Sequence, residues 1–146
     1  MTTIKDSKII AYCKHLRRAH VEVLCYDRKK KVWYWDLPAM AVICYDKNHK
    51  NPQKGFAHKP SQDGWHSFLK KKLEKNLGNI GDHSKIGKHY IIGNCAEQHA
   101  GNNFMNKYRV KNTNELYFSE AVRPRTMEVH PYCDNCKKIF ENLQTK

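Results

Sequence analysis

Gly93-Asn94-Cys95-Ala96-Glu97-Gln98-His99-Ala100-Gly101-Asn102 and, downstream, Pro131-Tyr132-Cys133-Asp134-Asn135-Cys136-Lys137 place three thiols and one carboxylate in a fixed order. Cys133 and Cys136 are three apart, so on a helix their sulfurs lie on one face. Near a helix start, unpaired backbone N–H groups and the helix dipole favour thiolate. Asn94 is a good helix cap, which puts Cys95 at a helix start as well. Two helix N-termini meeting at one zinc ion would offset three thiolates, whose charge exceeds that of Zn²⁺ by one. Arg123 and Arg125, just after the strand between the two motifs, are positioned to add compensating charge. A structural zinc site closes its shell with four protein ligands, whereas a hydrolytic one leaves a place for water. Cys95, Cys133 and Cys136 read as three ligands to one such ion. Glu97 is wrongly directed to join them and can lean over the open position as a proton carrier.

Each part has a competing reading. Asn94-x-x-Glu97 also fits a capping box, in which Glu97 bonds the backbone of Asn94. Cys133-x-x-Cys136 alone could be half of a structural zinc site, with His99 or His130 as a further ligand, or a redox pair.

Outward from these motifs, the pattern predicts a helix over 5–19, with Ile9, Cys13 and Leu16 on one face. Two strands, 21–26 and 32–36, follow around the charged turn Arg28-Lys29-Lys30-Lys31. Residues 39–45 read as a third, more buried strand. Residues 46–62 turn to Asn, Lys, Pro, Gly and His and read as a long loop, a kind of segment that is often functional. His58 and Lys59 there, and the following Trp65, are candidates to line a substrate channel. A second amphipathic helix begins at Asp63-Gly64, with Trp65, Phe68, Leu69, Leu73 and Leu77 as its apolar stripe and Gly78 as its stop. A helix from Cys95 through Tyr108, a buried strand over 115–122, and a helix started by Pro131 complete the reading.

With 146 residues, the chain reads as one domain, 1–146, long enough to bury a real core. Its 27 Lys+Arg against 14 Asp+Glu leave a formal net charge of +13. That excess favours contact with phosphate backbones over an acidic membrane or an acidic protein. No stretch approaches the ~20 apolar residues of a membrane span. The start, Met1-Thr2-Thr3-Ile4-Lys5-Asp6, lacks the apolar core of a secretory signal, which predicts a cytoplasmic protein. The six cysteines therefore need not form a disulfide framework. Cys13, Cys25 and Cys44 lie among apolar residues and read as buried free thiols.

Together the two motifs, with Ala121-Val122-Arg123-Pro124-Arg125-Thr126 between them, resemble the cytidine deaminase-like superfamily and, within it, the deaminase domains of bacterial polymorphic toxins. The resemblance covers roughly the last third of the chain. It implies a three-layer α/β fold, a central mixed sheet flanked by helices, with zinc at two helix N-termini. It also implies one Zn²⁺ per chain on Cys95, Cys133 and Cys136, and Glu97 as proton shuttle. For toxin members it implies delivery into a competing cell's cytoplasm and a cognate immunity protein. The family usually has Pro directly before the first Cys of the pair, where this chain has Tyr132. That side chain could stack on the substrate base or pack in the core. Only ten residues follow Cys136, so the sheet must be completed by N-terminal strands or by another subunit.

Three functions compete. The first is hydrolytic conversion of cytosine to uracil in nucleic acid, with Trp33, Trp35, Trp65 and Tyr132 as possible stacking surfaces and Asn94, His58, Arg123 and Arg125 as further candidate contacts. The second is deamination of free cytidine or its nucleotide, which needs no basic surface. The third is a non-catalytic zinc-stabilised module that binds nucleic acid or a partner.

Overall fold

The computed structural model describes residues 4–20, 24–29, 32–35, 37–87 and 89–143, and of residues 20, 24–27 and 32–35 the backbone alone. The first helix forms as α1 (Ser7–His20), burying Ile9, Cys13 and Leu16, with Tyr12 beside them. Asp6 caps it by accepting the backbone N–H groups of Lys8 and Ile9. The expected hairpin is β1 (Leu24–Asp27) antiparallel to β2 (Val32–Trp35), with Asp27 opposite Val32 and the exposed Arg28 and Lys29 in its turn. The remainder of both expected strands (21–23 and 36), the burial of Cys25, and the side chains of Trp33 and Trp35 lie outside the described residues.

β3 (Ala41–Tyr45) is buried along its whole length, as its apolar run predicts. The long loop read over 46–62 is broken by a strand, β4 (Gln53–Phe56), antiparallel to β3 with Phe56 opposite Ala41. Its sequence, Gln-Lys-Gly-Phe, has no β-branched residue. Pairing is imposed from outside, by the ladder of β3 and by a tight turn. In that turn Asp46 accepts the N–H groups of Asn48 and Lys50, and His49 and Asn51 adopt positive φ.

α2 (Ser67–Asn76) starts later than Asp63, capped by the His66 ring, whose Nδ1 accepts the N–H of Phe68. Leu69, Leu73 and Leu77 are buried as expected, but Phe68 is 47% exposed and leaves the apolar stripe. It lies about 100° round the helix from Leu69, past the edge of the buried face. α3 (Ala96–Tyr108) follows. The strand expected over 115–122 runs beside β3 in two pieces, β5 (Tyr117–Phe118) and β6 (Ala121–Arg123). Ser119 breaks the ladder between them: its N–H donates to the Ile43 carbonyl, and its hydroxyl oxygen accepts the Ile43 N–H. Glu115 and Tyr117 are exposed, so burial is confined to part of that span. β7 (Glu128–His130), not anticipated, pairs with β6. α4 (Asp134–Ile139) then begins three residues after Pro131, with Cys133 and not Pro131 at its start.

β4, β3, β6 and β7 lie in that order, with β5 on the same edge of β3 as β6. Every described pairing is antiparallel, so the central sheet is not mixed. Short reversals, at Asp46–Asn51 and at Arg123–Met127, are what an antiparallel pair needs, whereas a parallel pair demands a long crossover. The N-terminal strands β3 and β4 do complete it, while β1 and β2 pair only with each other among the described residues. Alternation along β3 separates two cores. Ala41, Ile43 and Tyr45 pack with α1, and Val42 and Cys44 pack with the apolar faces of α2, α3 and α4. Helices thus cover both faces of the sheet.

β4 and α3 approach so closely that only glycine fits between them. A Cβ on Gly55 would lie 2.3 Å from the Ala100 backbone nitrogen and 2.6 Å from the Ala96 carbonyl oxygen. A Cβ on Gly101, on another side of the same helix, would meet the movable Phe140 ring at 3.0 Å. Gly55→Ala is expected to cost about 3 kcal/mol or more, and Gly101→Ala distinctly less, because backbone cannot yield as a ring can. Urea denaturation of the two variants checks the order, and equal losses would contradict it.

Candidate metal centre

Cys95 is the first residue before α3, with extended φ/ψ of −71° and 146°, and Cys133 occupies the same position before α4, at −73° and 157°. The two helix starts converge. The sulfurs of Cys95, Cys133 and Cys136 all lie within 4.8 Å of one another, with Cys95 and Cys133 3.9 Å apart. Two sulfurs each about 2.3 Å from a tetrahedral zinc are about 3.8 Å apart, so the spacing suits such an ion. Soft thiolate donors select zinc or another thiophilic metal over magnesium or calcium. Cys136 is buried while Cys95 and Cys133 are partly exposed, so the cluster has a side open to solvent.

The three thiols share charge unequally. The Cys133 thiol is lowered to about 3 by hydrogen bonds from Cys136 and Cys95, and by the backbone amides of Cys136 and Asn135 at the α4 start. Cys95 and Cys136 are raised in turn, because each serves first as hydrogen-bond partner to Cys133. Metal binding requires all three as thiolates. The leading influences on them are one another and burial, with Glu97 acting further on Cys95 and Cys136.

Glu97 is 5% exposed beside this cluster. Burial first, then the negative charge of Cys133, push its carboxyl up to about 7, against lowering hydrogen bonds from its own backbone N–H and from Cys136. Asn94 is not the cap of α3. Cys95 is, and its side chain makes no capping bond. The Asn94 carbonyl instead accepts the His58 N–H, and the Asn94 N–H goes to Ile91. With the helix starting one residue later, Glu97 is its second residue and Gln98 its third, so the capping-box explanation for Glu97 lapses. Gln98 takes the third-position role in altered form: its Oε1 accepts the Gly93 N–H at 2.7 Å, and its Nε2 donates to Cys136 Sγ at 3.8 Å. That bond orients one of the three clustered thiols from outside the cluster.

Other predicted site residues are distributed unevenly. Tyr132 is half-buried against the core beside Cys133, and its hydroxyl donates to the Ser119 carbonyl at 2.6 Å. His58 and Trp65 join the neighbourhood through His99, whose ring stacks on His58 at 3.6 Å and lies 5.5 Å from Trp65. Neither His99 nor His130 belongs to the thiol cluster among the described residues, and the His99 Nε2 is engaged with the His58 carbonyl. Arg123 ends β6 and Arg125 lies in the turn after it.

Two neighbours escaped sequence reading. Tyr90 is 37% exposed, and its hydroxyl is raised by burial and then by Cys133, Cys95 and Asp134, within electrostatic reach of the thiols. Asn135, buried between Cys133 and Cys136, accepts a bond from the Ser84 hydroxyl, and its Nδ2 has no partner among the described residues. The signal for Asn135 was its place between two ligands; Tyr90 had none, since it arrives through a loop. A cavity of about 480 Å³ lined by Asp46, Phe104, Tyr108 and Tyr117 lies toward the far end of α3. That end is about 20 Å along the axis from Cys95 and takes no part in the centre.

No helix among the described residues is long and apolar enough to cross a membrane. Comparison with protein-family models, with curated proteins and with solved structures finds no match for this chain.

His99 is held down to about 4, first by burial and then by the neighbouring His58. An unfolded histidine titrates near 6.5. Between about pH 6.5 and pH 4 the unfolded chain takes a proton that the folded chain refuses, so stability falls as pH falls through that window. Relative to His99→Gln, wild type is expected to lose about 1–3 kcal/mol between about pH 7 and pH 4.5. Denaturation curves at the two pH values test this, and parallel losses would count against it.

Proposed function

We propose that this protein is a zinc-dependent hydrolytic deaminase that converts cytosine to uracil in nucleic acid. One observation carries the reading: three thiols converge at two helix starts with no fourth protein ligand among the described residues, and a buried carboxyl stands beside them. A closed structural site would need that fourth ligand. Zinc, when bound, supplies the acidity that makes water nucleophilic near neutral pH.

The chain's own residues supply the rest. Cys95, Cys133 and Cys136 hold the ion, and Gln98 and the α4 amides hold two of the sulfurs in place. Glu97 carries out the proton transfers. It takes a proton from the attacking water and delivers it to the ring nitrogen next to the carbon that bears the amine. It then helps the amine leave as ammonia, so cytosine and water become uracil and ammonia. The influences on its carboxyl are burial, the neighbouring thiols and its own backbone N–H. The net charge of +13 supplies affinity for phosphate, which favours polynucleotide over free cytidine.

Purified protein is expected to hold one zinc per chain by elemental analysis. Cys95→Ser and Cys136→Ser should each fall well below that, while His99→Ala keeps the metal; zinc loss in His99→Ala would restore the closed-site reading. Glu97→Gln is expected to retain zinc and lose about 10²- to 10⁴-fold in uracil formation on cytosine-containing oligonucleotides. Wild type that binds zinc and converts neither oligonucleotides nor cytidine would overturn the deaminase reading.

A further inference from the structure

The exposed Phe68 of α2 is not isolated. Ring contacts lead toward it from the thiol cluster in two groups, His58–His99–Trp65 and His66–Phe68, joined by the adjacency of Trp65 and His66 in the chain. The His58 N–H is bonded to the Asn94 carbonyl, one residue before Cys95. His58 stacks on His99, and Trp65 lies 5.5 Å beyond. The next residue, His66, is held through its N–H by Asn102 Oδ1 at 2.7 Å, and its ring lies 5.7 Å from that of Phe68. Asn102 stands seven residues after Cys95, about 10 Å along α3. Past Phe68, Lys71 and Lys75 fall within about 60° of it on the solvent side of α2. Both are exposed and neither forms an ion pair among the described residues, whereas Lys72 is bonded to Thr113 and Glu141. Lys59, beside His58, is exposed and likewise has no ion pair among the described residues.

We infer that these rings mark the track on which a single-stranded polynucleotide lies, running from the thiol centre across His58, Trp65 and Phe68 to Lys71 and Lys75. It rests on the deaminase reading for its direction, with the reacting base at the thiols. Single-strand sites of this kind pair stacking rings with cations that follow the backbone. Charge chooses the occupant: unpaired lysines on a strongly basic chain suit phosphates. The exposed rings of His58 and Phe68, with the partly exposed Trp65 between them, suit unpaired bases, which a duplex keeps stacked inside. Glu74 is the one acidic residue of α2, and it lies about 120° away from Phe68 around the helix.

Oligothymidylate and oligouridylate, which contain no cytosine, are the probes, with binding followed by fluorescence anisotropy over a salt series. The Lys71→Ala/Lys75→Ala double variant is expected to make the slope of log affinity against log salt shallower by about 1.4, two phosphates at about 0.7 each. Phe68→Ala is expected to weaken binding roughly 5- to 150-fold with the slope unchanged. All three positions are exposed, so melting temperatures should stay near wild type and exclude unfolding as the cause. Variants that bind like wild type overturn the track, as does a duplex that binds as tightly and responds equally to Phe68→Ala. The two readings fail separately. A chain that binds through these residues but never forms uracil keeps the track and sinks deamination. One that deaminates oligonucleotides indifferently to these substitutions keeps deamination and sinks the track.

Discussion

Backbone-to-backbone contact between β4 and the first turns of α3 is the constraint on which the rest depends. At Gly55 the strand comes so near Ala96 and Ala100 that no side chain could intervene. Because Ala96 immediately follows Cys95, this contact sets the height at which the first ligand and Glu97 stand over the sheet. The small residues on the facing side of α3 are required for the same reason. Loss of that approach would lift the helix start away from the sheet and uncouple Cys95 from the pair on α4.

The second half of the centre is positioned by a different kind of force. Tyr132 is tied to the break between β5 and β6 through the Ser119 carbonyl, while Ser119 itself is bonded twice to Ile43 of β3. A kink in the ladder thus anchors the approach to α4, and Phe140 packs against Gly101 of α3 to close the angle between the helices. Between them, three potential negative charges and a buried carboxyl crowd together. Backbone amides at the α4 start offset one of them. The remainder is an electrostatic deficit that a divalent cation would relieve.

The pairing of two of the clustered thiols was legible from the sequence because the relevant spacing is local. Three residues on a helix put Cys133 and Cys136 on one face whatever the tertiary context, and β3 announced itself by an unbroken apolar run. Several neighbours were illegible because their state is set by distant partners. β4 is a strand through the ladder of β3, despite a sequence suited to a loop. Phe68 reads as core by type and spacing, yet the buried arc of α2 is too narrow to include it. Asn94 has the right chemistry for a cap, but its carbonyl is claimed by His58 across the fold, and the helix starts after Cys95. Tyr90 comes within electrostatic reach of the thiols through a loop whose course no periodicity encodes.

The chain's amino-acid order by itself determined which atoms could hold a metal, which carboxyl stood near them, and the outline of helices and of the buried strand. Those properties follow from residue chemistry and from repeats of two and 3.6, which act over a few residues. Only the tertiary structure decided that the sheet is antiparallel and that Glu97 is free of capping duty. It alone also decided that three sulfurs meet without a histidine among the described residues, and that the rings of His58, Trp65 and His99, from three segments, gather together. Each of these depends on which segments touch across dozens of residues, and that is set by packing summed over the whole core.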